Sequence, residues 1–190
     1  MKQVVSRKKA TTTPRSRGLL KRTILAVSSE SERLAPHDDH HVRRATTEDA
    51  ATVAALLDAF NREFDTPTPG ADVLARRLER LLAGDELMAI LSGIPAIGVA
   101  IMSFRPSVWY EGTVATLDEL YVRPDMRGRL HGHAMLEAVC ELARERGAES
   151  LEINVDGQDV DARRFYERHG FANTEPGQAQ PMYYYYRDLV

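Results

Sequence analysis

The chain has 190 residues and a formal net charge of −3, a length that suits one domain of about 150 residues with an extension. The single cysteine, Cys140, excludes an internal disulfide and favours a reducing compartment, so we expect a cytoplasmic protein. No apolar run approaches the roughly 18 residues that a membrane-crossing helix needs, and Lys21 and Arg22 interrupt the apolar stretch near the N-terminus, which argues against a secretory signal.

The charge is distributed unevenly along the chain. Residues 1–44 hold 11 Lys and Arg against 4 Asp and Glu, whereas residues 45–190 hold 14 against 24. The first 41 residues also lack aromatic side chains and hydrophobic periodicity, so they cannot bury enough apolar surface to offset the entropy of ordering. We therefore predict a basic, disordered extension at residues 1–41 and one domain at residues 42–190. A transit peptide and a nucleic-acid arm are alternative interpretations of the extension, although the acidic domain makes nucleic acid an unexpected partner.

The first part of the domain predicts a sheet with helices packed on it. Residues 42–44 favour a first strand, and Thr47, followed by two acidic residues, suits a helix start. Residues 71–83 show the apolar spacing of a second helix, while residues 86–91 and 97–104 are typical of two strands joined by a turn. The apolar stripe of the first helix comprises Val53, Leu56, Leu57 and Phe60.

A glycine-spaced basic turn at residues 127–134 is the most informative stretch of the chain. It follows a strand predicted at residues 115–122 and opens a helix predicted at residues 131–146. Glycines let backbone N–H groups approach an anion, and a helix N-terminus adds the positive end of its dipole. The pattern therefore predicts a phosphate cradle for a ligand that carries a pyrophosphate.

A second strand and helix follow in the same order. Residues 151–155 favour a strand, and residues 159–169 favour a helix that closes on Gly170 and Phe171. Four consecutive tyrosines, residues 183–186, are predicted to alternate across a last strand, two inward and two outward. A ring that faces a binding pocket or a dimer partner is the alternative.

These two blocks resemble the GNAT superfamily of acyl-CoA-dependent N-acyltransferases. Arg127 and Gly132 match the first and last positions of its Q/R-x-x-G-x-G/A signature, and Leu130 stands where the middle glycine is usual. We expect Leu130 to keep a negative φ, because a side chain disfavours the left-handed region. The helix at residues 159–169 resembles the second signature, N-x-x-A-x-x-x-Y followed by G-F, with Asp159 in place of the asparagine.

The resemblance implies an α/β fold and a binding site for acetyl-CoA. The fold would be a GNAT-like, central, mixed, mostly antiparallel twisted sheet of six to seven strands, flanked by about four helices. Acetyl-CoA is the implied co-substrate, and the chemistry requires no metal. A homodimer is expected by resemblance only. The implied cofactor-binding residues are Leu120, Tyr121, Val122, Arg127, Gly128, Arg129, Leu130, His131, Gly132, His133, Asn154, Asp159 and Ala162.

Two adjacent carboxylates in the predicted strand at residues 115–122 bear on the chemistry. Asp118 and Glu119 would be costly inside a sheet that is covered on both faces, unless they are paired or functional. Neighbouring strand residues point to opposite faces, so at most one should face a cleft unless a bulge re-aims them. An ion pair with Arg105 or Arg123 is the structural alternative for either carboxylate.

Amine acetylation needs a group that removes a proton and a group that returns one. An alkylamine with a pKa near 10.4 is almost wholly protonated at pH 7, so a base is required; Glu119 is the first candidate and Asp118 the second. A splayed strand at Leu120–Val122 could donate a backbone N–H to the carbonyl oxygen. By alignment with the superfamily's tyrosine, Tyr166 is the candidate acid for the departing thiolate, with a core aromatic residue as the alternative.

The resulting prediction is an acetyl-CoA-dependent N-acetyltransferase. It would move an acetyl group to a primary amine of a small molecule by direct attack in a ternary complex. Residues 109–127 also look like the diamine and polyamine branch of the superfamily, while amino acids and aminoglycosides remain candidate acceptors. The alternatives are a protein N-terminal or lysine acetyltransferase and a non-catalytic acyl-CoA-binding regulator.

Overall fold

The structure is a computed structural model that describes residues 40–187 and 189. The extension predicted at residues 1–41 lies almost wholly outside the described residues. Single 3-10 turns precede the first helix, at Thr47–Asp49, and the third, at Pro124–Met126. The elements in chain order are β1 (Val42–Arg44), α1 (Ala50–Glu63), α2 (Ala71–Leu82), β2 (Leu87–Ser92), β3 (Gly98–Pro106), β4 (Thr113–Val122), α3 (His131–Glu145), β5 (Ala148–Ile153) and α4 (Val160–Arg168).

The strands form one mixed sheet in the order β1-β2-β3-β4-β5. The first four pair antiparallel with their neighbours, and β5 pairs parallel to β4. A parallel pair needs a long crossover, and α3 supplies it. Within the described residues the sheet has five strands, so the predicted count of six to seven is wrong.

The missing strand is the one predicted at the tyrosine run. Tyr183–Tyr186 lie outside any strand and all four side chains are exposed, so the predicted alternation of inward and outward rings is wrong. The preceding segment makes only the isolated bridge Thr174↔Pro181. Tyrosine favours strands, but a strand forms only where it can pair with a neighbouring strand. The proline and glycine residues at 176–181 disfavour such pairing, so this segment is irregular.

The helices cover both faces of the sheet. On one face, α1 and α2 pack against the apolar side chains of β2, β3 and β4, among them Leu91, Val99 and Ile101. On the other face, α3 and α4 pack against Met102, Leu117 and their neighbours. The predicted burial of β4 holds for Val114, Ala115, Leu117 and Tyr121, whereas Asp118 is exposed and the other residues of the strand are partly buried. Among the described helices, none has the length and apolar character needed to cross a bilayer.

Candidate active site

The sheet opens between β4 and β5. Their parallel pairing begins at Thr113↔Ala148 and ends at Leu117↔Ile153, although β4 continues to Val122. Beyond Leu117, β4 remains paired with β3 alone. The last five residues of β4 therefore present a free strand edge to the space beside β5, which we call the cleft.

Two contacts fix which backbone groups of β4 face this cleft. The Arg123 N–H donates to the Ile97 carbonyl at 3.0 Å, so it points toward β3. Because backbone groups alternate along a strand, the N–H groups of Leu120 and Val122 point the other way, into the cleft. The Val122 carbonyl does the same, since it accepts a hydrogen bond from Arg127 Nε at 2.9 Å. The cleft is thus lined by backbone donors and acceptors that suit an extended amide-containing ligand.

The glycine-spaced turn places its backbone at the end of the same cleft. Gly128 has φ 73° and Leu130 has φ 65°, and α3 begins directly afterwards at His131. The expectation that Leu130 keeps a negative φ is therefore wrong. Its side chain is 64% exposed, so no packing opposes the left-handed conformation, and the turn retains the shape that a glycine would give it. A side chain in this region costs about 1–2 kcal/mol.

Leu130→Gly is expected to stabilise the folded protein by about 0.5–1 kcal/mol. The change relieves the left-handed strain, and the greater entropy of an unfolded glycine offsets part of the gain. Gly128→Ala is the matched control with the opposite sign, because it introduces strain at a second left-handed position where the side chain would meet no neighbour. Urea unfolding measures both changes, and a loss of stability in Leu130→Gly would contradict the assignment.

Arg127, the first residue of the turn, is held by three contacts. Its guanidinium pairs with the Glu63 carboxylate at 2.7 Å, donates to the Val122 carbonyl and lies over the Tyr121 ring at 5.8 Å. Burial and the Glu63 charge raise the pKa of the Tyr121 phenol, so it stays neutral. The end of α1 is therefore fastened to the start of the turn through Glu63, a residue that the sequence analysis missed because nothing local marks a contact 64 residues away.

The other residues of the turn contact either the sheet or the C-terminal part of α4 and the residue that follows it. His131 is buried, and its Nδ1 lies 3.0 Å from the Ser92 hydroxyl, so its side chain anchors α3 to β2. Gly132 faces α4, where a methyl group in place of its hydrogen would lie 3.7 Å from the Phe165 ring. His133 is exposed and reaches His169 after the end of α4.

A β-bulge aims both strand carboxylates to the same side. In the register of β3 and β4, Ile101 faces Glu119 and Met102 faces Leu117, which leaves Asp118 as the extra residue. Glu119 therefore lies on the α1 and α2 face, as Ile101 does. Asp118 interacts with Ser103, which lies two residues from Ile101 on the same face of β3. The bulge thus brings the two carboxylates together.

The electrostatic setting of the two carboxylates differs from that of a structural ion pair. Arg105 pairs with Glu152 at 2.8 Å and Arg123 pairs with Asp125 at 2.9 Å, so neither serves Asp118 or Glu119. Burial, and then the charge of Asp118, raises the pKa of Glu119. Burial also raises the pKa of Asp118, against an opposing hydrogen bond from Ser103. A carboxylate with a raised pKa is a better proton acceptor than an ordinary one.

Tyr166, on α4, lies in the apolar cluster on the α3 and α4 face of the sheet. It is 8% exposed, and its ring contacts Phe165 and Phe171 edge-on with centroids 5.1 and 5.6 Å away. Burial, followed by the charges of Asp159 and Glu119, raises the pKa of the phenol well above its ordinary value. The phenol therefore carries its proton throughout the pH range in which a protein is stable. The interaction with Glu119 places the candidate acid and the candidate base in one electrostatic environment.

Asp159 begins the helix that carries Tyr166. Its Oδ1 accepts a hydrogen bond from the Ala162 N–H at 2.9 Å, which makes it the N-cap of α4. Asp159 and Ala162 are both predicted to bind acetyl-CoA, and in the structure they form a capping hydrogen bond with each other. Asn154 is exposed just beyond β5, beside the end of the paired segment. Direct contact of Asp159, Ala162 or Asn154 with acetyl-CoA remains a prediction.

Asp159→Ala is expected to lower the free energy of unfolding by about 1 kcal/mol, because it removes the N-cap. Asp159→Asn is the matched variant: it keeps a capping oxygen and is expected to lie within a few tenths of a kcal/mol of the original protein. Chemical denaturation of both variants checks this. Equal losses for alanine and asparagine would mean that the charge, rather than the cap, matters at this position.

Comparison with known proteins gives a consistent result. The acetyltransferase (GNAT) family model matches residues 53–171. The aminoalkylphosphonate N-acetyltransferase of Salmonella typhimurium is 30% identical over 134 residues, which cover 70% of this chain and 85% of that protein.

Solved structures extend the likeness to three dimensions. A candidate acetyltransferase from Arthrobacter sp. FB24 is 57% identical with a TM-score of 0.77, and the match covers 83% of this chain and all of that one. The aminoglycoside acetyltransferase meta-AAC0020 from an uncultured soil sample, in complex with sisomicin, is 17% identical with a TM-score of 0.66, over 80% of this chain and 98% of that one. The second likeness concerns the fold alone.

Proposed function

The chain belongs to the GNAT family of acetyltransferases, and from that premise we propose that it transfers an acetyl group from acetyl-CoA to the primary amine of a small molecule in one ternary complex. The enzyme class, an acyltransferase, follows from the family. The finer proposal is supported by the cleft that opens where β4 parts from β5 after Leu117, and by the charge of Glu119 on β4, which acts on the buried Tyr166 phenol.

The chain's own residues suit coenzyme A. One of the two N–H groups of Leu120 and Val122 would bind an amide oxygen of the pantetheine arm, which contains two amides, and the other would remain for the reacting carbonyl oxygen. The left-handed residues Gly128 and Leu130 turn the backbone into α3, whose N-terminus would hold the pyrophosphate. Acetyl-CoA, when bound, supplies a thioester that an amine can attack.

Glu119 would act as the base. Its raised pKa suits a group that must accept a proton near neutral pH, directly or through a water molecule. Asp118, beside it on the same face, would attract the cationic form of the amine without taking the proton. The N–H of Leu120 or Val122 would stabilise the charge that develops on the carbonyl oxygen, because both donors are fixed by the pairing of β4 with β3.

Tyr166 would act as the acid. Its phenol keeps its proton because its pKa is raised, and it would donate that proton to the departing thiolate. The aromatic contacts with Phe165 and Phe171 hold the ring in place. The cap at Asp159 fixes the start of the helix that positions it.

The acceptor class is proposed from the charge on the α1 and α2 face. The pKa values of Asp118 and Glu119 are raised, and neither carboxylate pairs with Arg105 or Arg123. Their negative charge favours a small amine that approaches β4 as a cation, such as a diamine, polyamine, amino acid or aminoglycoside. The Salmonella relative is named for aminoalkylphosphonates, which are amines with an anionic end. These two kinds of acceptor differ in charge, so a panel separates them.

The test is release of free CoA thiol from acetyl-CoA against a panel of polyamines, amino acids, aminoglycosides, aminoalkylphosphonates and N-terminal peptides. We expect turnover with one class of small amine and intersecting initial-rate plots, which indicate a ternary complex. Turnover with peptides alone would assign the protein N-terminal or lysine activity instead. Tight acetyl-CoA binding without turnover on any acceptor would assign the non-catalytic regulator.

A further inference from the structure

Glu63 joins helix α1 to the turn that precedes α3. It is the last residue of α1. Its carboxylate makes two parallel contacts with the Arg127 guanidinium, Oε1 with Nη1 at 2.7 Å and Oε2 with Nη2 at 2.8 Å. A two-point pair of this kind fixes the orientation of both side chains as well as their distance. Glu63 therefore holds the first residue of the glycine-spaced turn in one position relative to α1.

The place of Glu63 in its helix is unfavourable by itself. The C-terminal end of a helix carries the negative end of the dipole, which favours cations over carboxylates. The ion pair is also partly exposed, with 25% of the Glu63 side chain and 45% of the Arg127 side chain accessible. Exposed pairs contribute little to stability. Neither helix stability nor ion-pair strength accounts for a carboxylate here, which leaves its geometric effect on Arg127.

On one side, this ion pair acts on the cleft. The Nε of Arg127 donates to the Val122 carbonyl at 2.9 Å, so all three nitrogens of the guanidinium are engaged, two by Glu63 and one by the strand. The pairing with β3 holds β4 from the other edge. Through Arg127, Glu63 thus positions the end of β4, where backbone N–H groups would bind acetyl-CoA.

On the other side, the pair acts on the face that carries Glu119. Tyr121 follows Glu119 by two residues, so both side chains lie on the α1 and α2 face, about 7 Å apart along the strand. Tyr121 is 4% exposed; its ring lies 5.8 Å from the Arg127 guanidinium and stacks on Phe60 of α1 at 5.2 Å. Its phenol also interacts with Glu63. The end of α1, the acceptor face and the turn therefore form one packed unit.

We propose that Glu63 is a positioning residue that couples the two substrate sites, acting through Arg127 on the end of β4 and through Tyr121 on the acceptor face. The inference rests on the proposed function and adds to it how each substrate affects the binding of the other. Acetyl-CoA would bind the arrangement in which Glu63 holds Arg127, and the same arrangement fixes the end of α1 beside the amine. Each substrate then favours the conformation that the other binds. Linkage requires that each raises the affinity of the other by the same factor.

Isothermal titration with free coenzyme A and the amine of highest turnover in the panel measures this coupling without reaction. The dissociation constant of each ligand is determined with and without a saturating concentration of the other. We expect each ligand to tighten the other about tenfold in the original protein, which is typical of coupled sites. Glu63→Gln keeps the shape but loses the charge and one acceptor oxygen, so the factor should fall to within about twofold of one. Its kcat at saturation should change by less than about threefold, because the variant leaves Glu119 and Tyr166 in place.

Glu152→Gln is the matched control. It makes the same substitution in another ion pair, that of Glu152 with Arg105, and should leave the coupling factor unchanged. Glu63→Asp keeps the charge on a shorter side chain and should retain part of the coupling. Urea unfolding of each variant separates position from stability, because a merely stabilising ion pair would change the free energy of unfolding and leave the coupling factor as it was.

The outcomes distinguish this inference from the proposed function. Full coupling in Glu63→Gln, equal loss of coupling in Glu152→Gln, or a factor near one in the original protein would each overturn the inference and leave the proposed function intact. Failure of the original protein to bind coenzyme A, or to acetylate any amine of the panel, would overturn the proposed function.

Discussion

Tyr166→Phe is expected to lower kcat by about a hundredfold to ten-thousandfold, the range for removal of a general acid. The variant keeps the aromatic contacts with Phe165 and Phe171 and deletes only the hydroxyl group. The fold and the affinity for acetyl-CoA should therefore remain. Steady-state kinetics with the preferred amine measure kcat, and titration calorimetry measures the affinity.

Tyr110→Phe is a matched control for this variant. Tyr110 lies in the connection between β3 and β4, at the end of β4 away from the cleft, so its loss of a hydroxyl should leave kcat unchanged. Because the pKa of Tyr166 is raised, ionisation of this phenol should not limit kcat at the alkaline end of an ordinary assay range. A kcat in Tyr166→Phe within twofold of the original would show that the residue only packs in the core.

Glu119→Gln is expected to lower kcat/KM by a comparable factor of about a hundred or more. Glutamine has nearly the same shape but cannot accept the amine proton. Burial and the Asp118 charge raise the pKa of Glu119, so its basic form is lost at a higher pH than for an ordinary glutamate as the solution is acidified. In the original protein kcat/KM should therefore rise with pH through this raised pKa, and in the variant that step should vanish. A pH profile of kcat/KM measures both.

Asp118→Asn is the control that separates the two carboxylates. Removing its charge lowers the pKa of Glu119 toward the ordinary value, so the acid limb of the profile should move to lower pH while substantial activity remains. KM for a cationic amine should rise, because one attractive charge is lost. If instead Asp118→Asn abolishes turnover and Glu119→Gln retains it, the two residues have exchanged roles.

The sequence predicted those parts of the fold that depend on local pattern. The helix predicted at residues 131–146 is His131–Glu145, and that at residues 71–83 is Ala71–Leu82, because apolar spacing and a terminal glycine mark such elements directly. The strand predicted at residues 151–155 begins three residues earlier, at Ala148. Its start depends on pairing with Thr113 and not on its own composition.

The parts of the site that the sequence missed depend on contacts distant in the chain. The ion pair of Glu63 with Arg127 and the bridge of His133 with His169 join residues that no local pattern connects. The negative φ predicted for Leu130 is wrong because the geometry of the turn overrides the preference of a single residue. The sequence allows a bulge at Asp118 but does not predict one, because a one-residue shift in register has no signature in the sequence of the strand.

The most direct test of the account is a single-turnover measurement with isotopically labelled acetyl-CoA and the preferred amine, read as the mass of the acetylated product. The original protein is compared with the double variant Glu119→Gln and Tyr166→Phe, after calorimetry has shown that both bind acetyl-CoA equally. We expect rapid appearance of labelled amide in the original protein and a rate lower by at least about a thousandfold in the double variant. Equal rates would place the chemistry outside the cleft between β4 and β5 and contradict the account.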